Sequence, residues 1–307
     1  MAERPSATPD RPWNAGRASN IRGLTLALSA TVFWSLAGIL IRLITDATSW
    51  HVILYRSLGA TAMVGAMIAI VHRGAVSRAI RLAGWPAVVA GICSSASSVL
   101  FILALGRVTV ANATFMGGIT PFVTAIGAQA ILGERVPRRA WGSMALAALG
   151  VALMLGGGLA LGRLSGNLLA LGSSVAFAGH ALSLRFNRQT DMLPAVLYAG
   201  LFGTAFALLA LGVEGLSPRV PPRDLMLALA MGVVQLGGGL VLYTRASRHL
   251  PAAELQLVAT AELVLAPLWV WIGVGEAPGA ATLVGGSLVI LAILIQAAGA
   301  REYFTVP

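Results

Sequence analysis

Apolar runs of about twenty residues recur ten times along this chain, separated by short polar segments, many of which carry arginine. One bilayer crossing takes roughly 20 apolar residues in helical conformation. Ten such runs leave almost nothing for a water-facing surface, so the pattern predicts an all-α integral membrane protein with ten transmembrane helices. The spans are Gly23–Leu43, Trp50–Val71, Leu82–Leu105, Val108–Leu132 and Ala140–Gly157, then Gly166–Phe186, Leu193–Val213, Leu225–Tyr243, Ala252–Val274 and Ala280–Ala298. Composition agrees. Of 307 residues, 57% are hydrophobic and 10% are charged, whereas soluble domains carry roughly 25% charged residues. The 36 glycines fit the same solvent, because small residues let membrane helices approach closely.

The formal net charge of +10 would point to nucleic acid in a soluble protein. Here every basic residue is arginine, lysine is absent, and the arginines cluster between the apolar runs. Fifteen of them fall in segments that share a side with the N-terminus, five fall in the opposite loops, and Arg56 lies inside the second span. That bias predicts cytoplasmic termini and no nucleic-acid partner. Residues 1–21 and 301–307 read as tails. The polar, Pro-rich and Arg-rich opening is followed by a run too long for a removable signal segment. Cys93 is the single cysteine, so no disulfide framework forms within one chain.

The two halves resemble each other. With Gly23 on Gly166, Ala27 falls on Ala170, Trp34 on Phe177, and Leu54-Tyr55 on Leu197-Tyr198. Further on the register slips by one residue, so that Ala111 meets Ala253 and Gly133-Glu134 meets Gly275-Glu276. The expected organisation is a first five-helix repeat over 22–159 and a second over 160–300. An odd number of spans forces the copies to insert in opposite senses. Inverted repeats of this kind hold substrate near the midplane and alternate access by rocking one bundle against the other.

The segments Ala104–Leu155 and Ala246–Leu294, with Leu54-Tyr55-Arg56 in the second span, resemble the drug/metabolite transporter superfamily in its EamA branch. The resemblance implies a ten-helix exporter of small metabolites in a bacterial inner membrane. Its YddG-like members, which export aromatic and other amino acids, are the type first implied. One departure is local: members often carry Glu-Pro in the ninth helix, whereas here Leu263 follows Glu262 and the proline is Pro267. The first repeat has Thr120-Pro121 at the matching place.

Several polar and aromatic residues at membrane depth are candidates for a substrate cavity. Glu262 is a carboxylate deep in the ninth span, suited to bind an ammonium group or to carry a coupling proton, or else a structural hydrogen-bonding group. Arg56 is either a ligand for a substrate carboxylate or a side chain that snorkels to the headgroups. Trp34 and Phe177, and likewise Tyr55 and Tyr198, are symmetric pairs able to stack on an apolar substrate or to pack helices. His180 has Ala37 as its counterpart, and Gln235 and the run Ser94-Ser95-Ala96-Ser97-Ser98 are polar within apolar spans. The serine run reads mainly as close helix packing. Glu254 and Asn112 read as residues at helix ends, Glu134 as a solvated or structural charge, and Pro121 and Pro267 as hinges.

No cluster has metal-ligand spacing, no cofactor is implied, and no nucleophile–base pair stands out. A secondary transporter is therefore favoured, with a small-molecule substrate and the lipid bilayer as partners and a monomer or homodimer as the assembly. A proton-coupled exporter of drugs or cations is the alternative. An enzyme acting on lipid-linked substrates would show acids or histidines clustered at one membrane face.

Overall fold

The computed structural model describes residues 13–105, 107–108, 116–154, 164–274 and 279–299. These residues are helical with short connections. The helices are α1 (Trp13–Ser35), α2 (Ala37–Arg42), α3 (Ser49–Val71), α4 (Val76–Leu105), α5 (Thr120–Leu132), α6 (Arg138–Met154), α7 (Leu164–Phe186) and α8 (Leu193–Val213). There follow α9 (Pro222–Ala230), a π-helical segment (Met231–Gly238), α10 (Gly239–Ala246), α11 (Ala252–Ala259), α12 (Glu262–Val274) and α13 (Ala280–Gly299). Seven described segments are long and apolar enough to cross a bilayer: 20–41, 49–71, 76–104, 164–186, 193–213, 222–246 and 280–298.

The other expected spans differ for local reasons. The fourth was expected over Val108–Leu132, but its 13-residue helix α5 begins at Thr120, after a turn at Gly118-Ile119. The ninth was expected as one helix and instead breaks at Thr260-Ala261, between α11 and α12. The fifth is seen as the 17-residue helix α6, and residues 155–163 beyond it, including Gly156-Gly157-Gly158, lie outside the described residues, as does Asn112. The first span also departs from a single helix, being interrupted at Leu36.

Packing follows a paired pattern. Helix α3 lies on α8, and α6 lies on α13. The contact of α4 with α7 recurs as that of α10 with α1, and the contact of α4 with α8 recurs as that of the π segment with α3. Likewise α5 packs on α7, as α11 and α12 pack on α1. The close approaches rest on glycine. A Cβ on Gly232 would lie 2.1 Å from the Arg56 carbonyl oxygen, and one on Gly59 would lie 2.5 Å from the Leu229 carbonyl oxygen. The π segment and α3 thus touch backbone to backbone.

Polar contacts tie the bundle at both ends. At one end the Arg185 Nε donates to Glu134 Oε1 at 2.5 Å, Arg248 bonds Asp191 at 3.3 Å, and Asn187 donates to the Ala83 carbonyl at 3.1 Å. Glu134 is thus a structural charge that joins the end of α5 to α7. At the opposite end the buried Asp224 accepts backbone N–H groups of Asp46 at 2.8 Å and Ala47 at 2.9 Å. Nearby, Trp50 Nε1 donates to Glu214 at 2.7 Å. Glu254 stands in the first turn of α11, where negative charge suits the helix dipole.

Candidate functional site

Aromatic rings from three helices meet beside the break in the first span. Trp34 stands next to the end of α1, and Phe177 and His180 share a face of α7 three residues apart. Tyr243 comes from α10. The Trp34 and Phe177 centroids are 5.5 Å apart in an edge-to-face arrangement, and Tyr243 lies 5.2 Å from Trp34 and 5.5 Å from Phe177. The His180 ring stacks on both, 5.6 Å from Phe177 and 5.9 Å from Tyr243. Edge-to-face and offset pairs at these separations satisfy the ring quadrupoles.

This aromatic box also holds polar atoms. His180 and Tyr243 are both 0% exposed. His180 Nδ1 lies 2.9 Å from the Ala90 carbonyl oxygen. A carbonyl can only accept, so Nδ1 carries the proton and Nε2 is left as an acceptor. Neither Nε2 nor the Tyr243 hydroxyl has a partner among the described residues. A buried polar atom left unsatisfied costs about 1–3 kcal/mol, and such atoms gather where a ligand or a moving element supplies the missing bond.

The helix breaks lie around the box. Ser35, at the break in the first span, accepts a hydrogen bond from Trp269 Nε1 of α12 at 2.7 Å. Glu262 is the first residue of α12 and follows the turn at Thr260-Ala261. Its position at a half-helix start differs from the mid-helix setting expected from sequence. Pro121 stands in the first turn of α5 and starts a helix rather than kinking one, because a missing N–H costs nothing there. Pro267 lies within α12.

A second polar region lies between α3, α4, α8 and the π segment. Arg56 is 6% exposed and donates through Nη2 to Ser98 Oγ, while its Nε has no partner among the described residues. It points into the bundle, which rules out snorkelling to the headgroups. The serine run divides by role. Ser97 and Ser173 join α4 to α7 through hydroxyls 3.0 Å apart, whereas Ser94, Ser95 and Ser98 line a small cleft together with Ser57. Gln235, in the π segment, is 5% exposed and its Oε1 has no partner among the described residues.

The tyrosine pair behaves differently from the Trp34–Phe177 pair. Tyr55 donates to the Pro218 carbonyl oxygen at 2.5 Å, in the connection before α9, and Tyr198 stacks on Phe202 at 6.0 Å. Neither ring joins the box. Tyr243 takes their expected place. It closes an apolar run, where aromatic residues commonly sit at the membrane interface, and in the register of the later spans it falls on Phe101, an aromatic pairing in the sequence that could have singled it out.

Comparison with known proteins bears on all of this. The chain matches the EamA-like transporter family over residues 21–156 and again over 164–297. It is 27% identical over 208 residues to the pseudopaline exporter CntI of Pseudomonas aeruginosa, in two strains, covering 67% of this chain and 72% of that protein. A crystal structure of a protein 18% identical in sequence has the same fold, with a TM-score of 0.77 over 94% of this chain and 99% of that one. With apolar helices throughout and family matches over nearly its whole length, this is a multi-pass membrane protein that belongs to the EamA-like transporter family.

Proposed function

We propose that this transporter exports small metabolites, amino acids including aromatic ones first among them, by alternating access to a cavity shared by two inverted five-helix repeats. The repeats span 22–159 and 160–300 and supply ten membrane crossings, with both termini in the cytoplasm of a bacterial inner membrane. The doubled family match, the paired packing of helices and the excess of arginine on one side support this topology.

The observation that carries the reading is the aromatic box. Trp34, Phe177, His180 and Tyr243 offer flat apolar faces and two unmet polar atoms in one place. A planar side chain with polar groups at one end suits such a lining. Tyr55, Tyr198 and Gln235 belong to the wider wall of the pathway. Breaks at Leu36, Gly118-Ile119 and Thr260-Ala261, and the π segment, give the helices points at which to move. Pro121 and Pro267 stand at or near two of these breaks.

A second reading, proton exchange that drives export of a cation, is favoured by Glu262. Its carboxylate opens α12 within the membrane, where a charge without function is costly.

Flux of labelled phenylalanine, leucine and serine in proteoliposomes tests the proposal. The expected result is saturable flux for phenylalanine that falls at least about tenfold in Phe177→Ala. Flux for none of the three overturns the amino-acid reading. Counterflow with and without an imposed pH gradient separates the two readings. Acceleration by the gradient that vanishes in Glu262→Gln supports proton exchange, and indifference to the gradient removes it.

A further inference from the structure

The cleft beside Arg56 has no part in the aromatic box, and its chemistry is different. It is lined by Ser57 of α3, Ser94, Ser95 and Ser98 of α4, Ala199 and Gly203 of α8, and Leu236 and Leu240. In this conformation it has room for no more than about one water, so a ligand group enters it only as the surrounding helices part. The missing side chain at Gly203 lets α8 close on two of these serines: a Cβ there would meet Ser57 Oγ at 2.5 Å and Ser95 Oγ at 3.5 Å.

The charge beside this cleft is unbalanced. Arg56 reaches one of the lining serines, Ser98, with one nitrogen and leaves Nε unbonded. Among the described residues no carboxylate pairs with it. A guanidinium held inside a bundle without a counter-ion carries a large desolvation penalty. Its planar fork of donors matches a carboxylate, and serine hydroxyls turn to donate to the same oxygens. The backbone contact of Gly232 with the Arg56 carbonyl fixes the base of the side chain.

We infer that Arg56, together with the adjoining cleft of Ser57, Ser94, Ser95, Ser98 and Gly203, is an anion subsite that takes the carboxylate of the transported solute. The inference rests on the export reading above and narrows its substrate class to carboxylate-bearing solutes. Leu236 and Leu240 line the cleft, and Tyr243 lies one to two turns further along the same helix.

The test reads the cleft's charge without using a substrate. In a Cys93→Ser background, Ser95→Cys supplies the sole thiol of the full-length protein. Its reaction rate is measured with an anionic sulfonatoethyl and a cationic trimethylammonium-ethyl methanethiosulfonate. The expected result is a preference of about tenfold for the anion, reduced to within about twofold by Arg56→Gln and kept by Arg56→Lys. Equal rates in the presence of Arg56, or no reaction with either reagent, overturn the subsite, and this arm does not depend on the variant folding. Flux supplies the second arm. Phenylalanine is expected to exceed phenylalaninamide in wild type and to match it in Arg56→Gln. Equal flux of acid and amide in wild type overturns the carboxylate assignment while leaving amino-acid export standing. Anion preference with no amino-acid flux keeps the subsite and rejects the amino-acid reading.

Discussion

Thr120 and Glu262 occupy the same place in the two halves of the molecule. Each opens a 13-residue helix after a two-residue turn. The backbone event is shared, and the side chain is not: one half presents a hydroxyl and the other a carboxylate. The first spans show the reverse. Helix α1 stops at Ser35 and resumes at Ala37, whereas its counterpart α7 runs unbroken from Leu164 to Phe186 and carries His180 opposite Ala37. Duplication accounts for the breaks that recur. Arg56, His180 and Glu262 have no like partner in the other half, and the function proposed above puts the division of tasks between the halves there.

The comparison can be broken most directly by erasing the difference. Glu262→Thr makes the second half resemble the first, and it is expected to lower flux in proteoliposomes by at least about thirtyfold, or 2 kcal/mol of barrier. Thr120→Val is expected to leave flux within about twofold. Equal losses from the two would mean that the break matters and the carboxylate does not.

Packing offers the next contrast. Gly232→Val drives a side chain into the Arg56 carbonyl oxygen, and overpacking of this kind costs about 1–3 kcal/mol. Gly142→Ala, on α6 of the first half, meets nothing within 4 Å and is expected to be neutral or stabilising by up to about 1 kcal/mol. Thermal unfolding in detergent, followed by intrinsic fluorescence, reads both. A stable Gly232→Val protein would show that the π segment is free of α3.

The contact between halves at the arginine-rich end should matter less. Glu134 and Arg185 form a charge-assisted bond at 2.5 Å in a half-buried setting. A double-mutant cycle with Glu134→Gln and Arg185→Met is expected to give a coupling of about 1 kcal/mol. A coupling near zero would make the pair incidental.

The smallest effect concerns pH. His249 lies in the connection between α10 and α11, and partial burial, together with Arg22 and Arg248, pushes its pKa below the ordinary histidine value. The folded state therefore resists protonation. His249 is neutral and without penalty above the unfolded value, and stability is lost as pH falls below it. Unfolding temperature is expected to drop slightly more between pH 7 and 5 in wild type than in His249→Gln. An identical drop in both removes the residue from the pH response.

Much of the architecture was legible because hydrophobic length is a one-dimensional property. The bilayer sets how long an apolar run must be, and α3, α7, α8 and α13 begin or end within about two residues of their expected bounds. The breaks at Leu36 and Thr260-Ala261 were not legible. They interrupt hydrogen bonding without interrupting apolar composition, and neither carries a proline at the break. The π segment was hidden for the same reason, at glycines that read either as a close crossing or as a flexible point.

Within the site, Trp34 and Phe177 were found through symmetry, because residues near a two-fold axis touch their own counterparts. Tyr55 and Tyr198 obeyed the same rule on paper and part in space, since Tyr55 is drawn to the Pro218 carbonyl. The serine run read mainly as packing, and only Ser97 behaves so. Of its neighbours, Ser98 accepts from Arg56 while Ser94 and Ser95 line the adjoining cleft, and a linear sequence cannot say which of four serines in a five-residue run faces a cation on another helix.

Arg56 aligns with Ala199; Ala199 lines the small cleft, and Arg56 bonds Ser98 on the same cleft. Had the two halves remained separate, identical chains, a substitution that created this arginine would have created it twice. Two guanidiniums would then have shared one low-dielectric interior, and their repulsion would have opposed assembly of the pair. Joining the halves in one polypeptide lifts that constraint. A single positive charge can be kept at the pseudo-symmetry axis only by a protein whose halves are free to differ.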